Sequence, residues 1–298
     1  MKKNDDNLQT IKFITHGKTE QNTIEHYKNI IPSYSVTNLI PEQIKIPTSA
    51  ITVVCGKNSH GKTQLMANLF VSDLIADRKT LFITLEEDIF EIAGKTRKIY
   101  TASYGVDNQD VKNRFYNCLQ KSNIIGQVGW TIDTIEAILL EASSQKFETV
   151  YIDCIQKIRP PINSRAFSRQ LELAEISSRI LSIATSRNLA VILGAQLNRE
   201  KDRELEPIYE NHIRESGDIA FDANLIIGIQ RFGNKLFLNT AKNRNGEKDN
   251  YWILENQPNQ LLTGLNRRNP LAISFDEWKE NCNGSNDNKQ KYKGRKLT

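Results

Sequence analysis

The sequence predicts an α/β domain built on a mainly parallel β-sheet flanked by helices on both faces. Three observations carry that expectation. Short continuous apolar runs, rich in β-branched residues, alternate along the chain with segments of helical period. The stretch ITVVCGKNSHGKTQL, Ile51 to Leu65, passes from such a run into a loop bounded by glycines and then into a helical pattern. The last apolar runs follow one another without long helices between them, which makes one sheet edge antiparallel.

Taken in order, residues 1–30 form a polar arm with one weak helical stretch, EQNTIEHYKNII, and Pro32 and Pro41 punctuate the approach to the first strong strand. ITVVC reads as a strand, GKTQLMANLFVSDLIA as a helix and TLFITLE as a strand. DIFEIAGKTRKIYTASY and TIDTIEAILLEASSQ read as helices separated by a mixed segment. ETVYIDCI is a buried strand, followed by a proline-containing loop and the helix SRQLELAEISSRILSIATSR. LAVILGAQ, NLIIGIQR, KLFLNTAK and DNYWILE supply the remaining strands. The expected organisation is an arm at 1–30, one domain at 31–265, and an extension at 266–298 with a basic disordered tail. No internal repeat is visible.

Composition excludes several classes. The 298 residues are 39% apolar and 25% charged, ordinary for a soluble globular chain. No apolar h-region follows the N-terminus, and the longest apolar runs are too short to span a bilayer, so a cytoplasmic protein without a membrane partner is expected. Cys55, Cys118, Cys154 and Cys282 form no C-x-x-C pair and have no metal-ligand spacing with the histidines, which suits a reducing compartment. The formal charge of +5 resembles a nucleic-acid signature, but Lys289, Lys291, Lys293, Arg295 and Lys296 concentrate it in the tail. Trp130 and Trp252 are expected to serve packing, and Trp278 to anchor the C-terminal segment.

The chemistry starts at Gly56. Residues Gly56, Lys57, Asn58, Ser59, His60, Gly61, Lys62 and Thr63, with Gln64 following, match G-x-x-x-x-G-K-[ST] between a strand and a helix. The glycines let main-chain N–H groups turn around phosphate oxygens, and the helix presents its positive end to the same anion. Lys62 would reach the β- and γ-phosphates, and the Thr63 hydroxyl would ligate Mg²⁺. Asp153 ends the apolar strand TVYID, where a carboxylate would complete the metal site of bound ATP. Glu86, Glu87 and Asp88 close the strand before it, and chemistry alone does not choose which of them activates water, since one acid there can simply cap the next helix.

Several phrases together resemble one family, the DnaB-type replicative helicases of the RecA-like ATPase superfamily, over roughly Pro32 to Leu262. TLEED is similar to the family's S-L-E-M segment, which implies Glu86 as the catalytic carboxylate. VYIDCIQKIR resembles the V-I-D-Y-L-Q-L-M strand, implying Asp153 as the metal aspartate, with Cys154 in place of the usual tyrosine. RQLELAEISSRILSIA is similar to the family's E-I-A-E-I-S-R helix. VILGAQLNRE resembles the strand whose glutamine senses the γ-phosphate, here Gln196. IRESGDIAFDAN is close to a segment that contacts the DNA backbone, implying Arg214 and the main chain near Glu215 and Gly217. AKNRNG matches a segment whose Lys242 and Arg244 act across a subunit boundary. The loop interior K-N-S-H departs from the common R-P-S-M. Only about 50 residues precede the phosphate loop, where family members carry a primase-binding collar, so the chain resembles the smaller helicases of plasmids and phages.

The resemblance implies an ATP-dependent helicase or translocase acting as a hexameric ring on single-stranded DNA, with ATP and Mg²⁺ at each subunit boundary and a loader or primase as further partners. From physics alone, Lys242 and Arg244 equally suit a solvated basic turn around NRNG, and Arg214 with Glu215 a local ion pair. Arg159, Arg165 and Arg169 flank the loop after Asp153 as further channel residues or as solvated cations. A competing class stays open: an ATP-switch protein of RecA-like fold that oligomerises without unwinding DNA.

Overall fold

The computed structural model describes residues 33–161, 168–197, 206–213, 217–265 and 269–282. A short antiparallel pair, β1 (Ser33–Tyr34) and β2 (Ile46–Pro47), leads into β3 (Ala50–Gly56). Then follow α1 (Lys62–Ile75), β4 (Thr80–Thr84), α2 (Ile89–Ser103), α3 (Gln109–Lys121), β5 (Asn123–Gly126), α4 (Ile132–Ser144) and β6 (Thr149–Asp153). The second half adds α5 (Arg169–Arg187), β7 (Ala190–Gln196), α6 (Gly217–Asp222), β8 (Leu225–Phe232), β9 (Lys235–Asn243), β10 (Tyr251–Asn256) and β11 (Leu262–Gly264).

Nine of these strands make one sheet in the order β11-β10-β9-β8-β3-β7-β6-β4-β5. From β5 to β8 every neighbour pair is parallel, and from β8 to β11 every pair is antiparallel. The expected mainly parallel sheet with one antiparallel edge is therefore present. The mixed segment between the two helices of the first half resolves into α3 and the edge strand β5. β3, β4 and β6 are buried at every residue, as strands covered on both faces must be.

The period of two divides the core. Ile51, Val53, Cys55, Val150, Ile152, Val191 and Leu193 point into one cluster with α4, α5 and α6. Val54, Tyr151 and Ile192 point into the other, with Leu65, Leu69 and Phe70 of α1 and residues of α2 and α3. A third cluster joins Phe237, Tyr251 and Ile253 of the antiparallel edge to Trp278 and Cys282 of a helical segment at 275–282. Trp278 is fully buried there, with its ring near those of Phe237, Tyr251 and Phe275. Trp252 is also fully buried, and its indole N–H donates to the Leu39 carbonyl at 3.0 Å. Trp130 packs, partly buried, on the α4–α5 side of the core.

At the end of the sheet where β4 and β6 begin, a polar network is sealed inside. Asp73 of α1, 1% exposed, accepts from the Tyr151 hydroxyl at 2.8 Å and from the Tyr34 hydroxyl at 3.5 Å. Arg78 Nε stands 3.6 Å from the same carboxylate, with its guanidinium 4.1 Å from the Tyr34 ring centre. Burial pushes the Asp73 carboxyl up to about 7, against the pull of Tyr151 and Arg78. No helix among the described residues is long and apolar enough to cross a membrane.

Candidate nucleotide site

β3 ends at Gly56 and α1 begins at Lys62, so the glycine-bounded loop emerges at the carboxyl end of a central parallel strand. In an open α/β sheet that is where ligands bind. A Cβ at Gly56 would stand 2.7 Å from the Ile229 carbonyl oxygen, so only glycine fits against β8. Gly61, at φ 95°, and Ser59, at φ 64°, both take the left-handed conformation. Alternating turns of that kind aim main-chain N–H groups into a common concavity. The first N–H groups of α1 have no side-chain cap, which leaves the positive end of the helix open to an anion.

Lys62 is only 8% exposed, and its ammonium donates to the carbonyl oxygens of Gly56 at 3.0 Å and Lys57 at 3.1 Å. The Thr63 hydroxyl donates to Asp153, which ends β6 and is 4% exposed. Burial raises the Asp153 carboxyl above the usual carboxylate range, opposed by the Thr63 hydroxyl and the Lys62 ammonium. A Cβ at Gly194 of the adjoining β7 would meet the Asp153 carboxylate at 2.6 Å, so the strand is kept bare at that point.

The three acids after β4 divide their work. Asp88 caps α2 by accepting from the Phe90 N–H at 2.7 Å, and Glu87 pairs with Lys95. Glu86 and Glu87 both line the cleft over the loop, a space of about 620 Å³ that also takes in Asn58, Lys62 and Asp153. Glu86 lies 3.7 Å from the Lys157 ammonium and 3.8 Å from the Cys154 sulfur. Gln196, at the end of β7, has its amide nitrogen 4.0 Å from the same sulfur, while its main-chain N–H donates to Gln156 Oε1 at 3.1 Å. Gly56, Asn58, Ser59, Gly61, Lys62, Thr63, Gln64, Glu86 and Asp153 thus share one region, with Gln196 reaching it through Cys154.

The remaining expected residues fall elsewhere. Lys242, 8% exposed, lies near the end of β9 and Arg244 just after it, and both donate to main-chain carbonyls of α6: Lys242 to Ala220 and Phe221, Arg244 to Phe221. Gly217 is the first residue of α6. Arg214 and Glu215 lie outside the described residues, as do Arg165, the arm at 1–30 and the tail from 283. Arg169 is not a free cation: it pairs with Glu172 at 2.8 Å and donates to the Gln156 and Ile158 carbonyls, both at 3.0 Å.

Sequence reasoning passed over Arg231, Asn256, Gln260 and Gln156. Arg231 of β8 reaches over Gly61, donates to the Gln64 side chain, and lines the cleft with Asn256 and Gln260. Gln64 in turn donates to Asn256 and to the Gln260 carbonyl. The one signal was an arginine ending the otherwise apolar run NLIIGIQR. The others come from the β10–β11 turn and the loop after Asp153, which only the sheet order brings near.

The described geometry is a phosphate loop facing two hard oxygen donors, with a carboxylate and an amide beside them. Residues 46–257 match the family model described as the DnaB-like helicase C-terminal domain. The replicative DNA helicase DnaB of Mycoplasma pneumoniae is 27% identical over 204 residues, which cover 61% of this chain and 42% of that protein. A probable plasmid replicative DNA helicase of Chlamydia muridarum is 23% identical over 213 residues, 65% of this chain and 46% of that protein. The chain spans less than half the length of these relatives. A solved structure of a DnaB-like replicative helicase superposes with a TM-score of 0.64 at 16% identity, covering 84% of this chain and 67% of that one, a likeness of fold.

Proposed function

The chain belongs to the DnaB-like helicase C-terminal domain family, and from that premise we propose that it is the ATP-driven motor of a DNA helicase or translocase. In this reading it acts as a ring on single-stranded DNA, in the cytoplasm, during replication of a plasmid, phage or mobile element, with a loader or primase as further partner. The plasmid replicative helicase among the proteins it resembles supports the plasmid setting.

The observation that carries the reading is the convergence of Lys62, Thr63, Asp153 and Glu86 on one cleft, joined to Gln196. Lys62 exchanges the Gly56 and Lys57 carbonyls for β- and γ-phosphate oxygens of ATP. Thr63 and Asp153 offer the hard oxygens that suit Mg²⁺, which when bound neutralises phosphate charge. Glu86 orients the attacking water, and Gln196 senses the γ-phosphate. Lys242 and Arg244 of an adjacent copy supply the charge that stabilises the transition state, so turnover depends on assembly.

A path to DNA follows the same strand. Leu197, next to Gln196, makes an antiparallel bridge to Ile213, the residue before Arg214. A shift of Gln196 on γ-phosphate loss is therefore one residue from a bridge whose partner adjoins the DNA segment. Contacts of Arg214 and the main chain near Glu215 and Gly217 would be to backbone, as stepping over any sequence requires.

Displacement of a labelled strand from a forked duplex tests the proposal. ATP-dependent displacement by the wild type, lost in Glu86→Gln with nucleotide binding retained, is expected. Assembled protein that turns over ATP but never displaces a strand would leave the switch reading in its place.

A further inference from the structure

Cys154 stands where three functional groups meet. Its sulfur is 3.8 Å from Glu86 Oε2 and 4.0 Å from Gln196 Nε2, and it follows Asp153 directly. The side chain is fully buried. A thiol has one donor and one acceptor face. Glu86, a carboxylate, can only accept, and the Gln196 amide nitrogen can only donate, so the two contacts use both faces in a fixed direction: Gln196 to sulfur, sulfur to Glu86.

We infer that Cys154 is a positioning residue that ties the γ-phosphate sensor Gln196 to the water-orienting carboxylate Glu86. The inference rests on the ATPase reading above and adds to it the route by which the two groups act together. Glu86 has a second contact, Lys157 at 3.7 Å, but the side chains of that pair are 48% and 42% exposed. An exposed pair holds geometry weakly. The thiol is held more firmly: its side chain is fully buried, and the Lys157 N–H donates to the Cys154 carbonyl at 3.0 Å. When Gln196 turns toward a γ-phosphate, its pull on the sulfur ends, and the S–H bond to Glu86 is free to realign with the carboxylate.

A buried cysteine also serves as a small apolar filler, so the test must separate bonding from volume. Steady-state ATP turnover would be measured on the full chain for wild type, C154A, C154S and C154V, each with and without Gln196→Ala, with binding of a fluorescent ATP analogue in parallel. Wild-type turnover that Glu86→Gln abolishes upholds the underlying reading, and its absence overturns both reading and relay. C154A is expected to lower kcat about threefold to tenfold, the size of one modest hydrogen bond, with nucleotide affinity unchanged. C154S, which keeps a donor and an acceptor, is expected to recover most of the loss, and C154A to add nothing once Gln196→Ala is present. Should alanine fail to fold, valine fills the volume without a hydrogen-bonding group and takes its place. Wild-type kcat in C154A, equal losses in both backgrounds, or rescue by valine but not serine would overturn the inference.

Discussion

Arg244 and Phe221 are joined through the main chain: the guanidinium donates to the Phe221 carbonyl, and its centre lies 5.6 Å from the Phe221 ring. Lys242 donates to the same oxygen at 3.1 Å. That carbonyl lies in the last turn of α6, where cations are favoured, and α6 begins at Gly217, beside the proposed DNA segment. The pair assigned to a neighbour's ATP thus rests, in this structure, on the helix that starts where DNA is expected to bind. Lys242 is nearly buried in that arrangement, whereas Arg244 is exposed and needs to give up one carbonyl to reach outward.

Arg244→Ala is therefore expected to keep ATP affinity and lose turnover by about 10³-fold or more, the scale of an arginine supplied in trans. Titrating nucleotide and measuring steady-state hydrolysis on the same preparation checks it. Unchanged turnover would leave Arg244 as a cap on α6 and nothing more.

Gly194→Ala addresses the proposed metal carboxylate, Asp153, without replacing it. The added methyl would stand 2.6 Å from Asp153 Oδ1 and 3.2 Å from Met66 Sδ, with strand and helix fixed on either side. A loss of about 1–3 kcal/mol in urea unfolding is expected from the overpacking. Turnover should fall with it, and added Mg²⁺ should restore part of the loss if Asp153 has been displaced. A variant as stable and as active as wild type would show that the close approach of β7 to Asp153 does not matter.

Asp73 gives a pH dependence with a definite sign. Its carboxyl, near 3.8 when unfolded and about 7 in the fold, binds more protons folded than unfolded between those values. Its stabilising contribution is fully present below about pH 4 and is lost as pH rises through 7, on the order of 4 kcal/mol in all. Asp73→Asn has nothing to titrate, so unfolding free energy measured between about pH 5 and 8 should lose this downward slope. An identical slope in both proteins would show that Tyr151 and Arg78 keep Asp73 ionised throughout.

How far the sequence could be read depended on how local each feature is. The β3–loop–α1 unit is contiguous, and Gly56, Lys62 and Thr63 announce their geometry through residue type alone. β4, β6 and β7 were legible because strands buried on both faces must be continuously apolar. α3 and β5 were not, for physical reasons: α3 buries only Val111 and Phe115, and β5 is a four-residue edge strand with a glycine and no fully buried residue. Arg231 reaches the cleft because β8 runs parallel beside β3, and Asn256 and Gln260 because β9 and β10 fold back antiparallel beyond it. Cys154 stood out as an odd residue after Asp153, but its two partners come from the turn after β4 and the end of β7, and a single strand says nothing of its neighbours.

ATP turnover of the assembled protein, with and without single-stranded DNA, reads the proposed coupling of Gln196 to DNA through the Leu197–Ile213 bridge. Strong stimulation by DNA is expected, lost in Gln196→Ala while ATP binding persists. Turnover indifferent to DNA in a protein shown to be assembled would contradict it and identify an ATP switch in place of a motor.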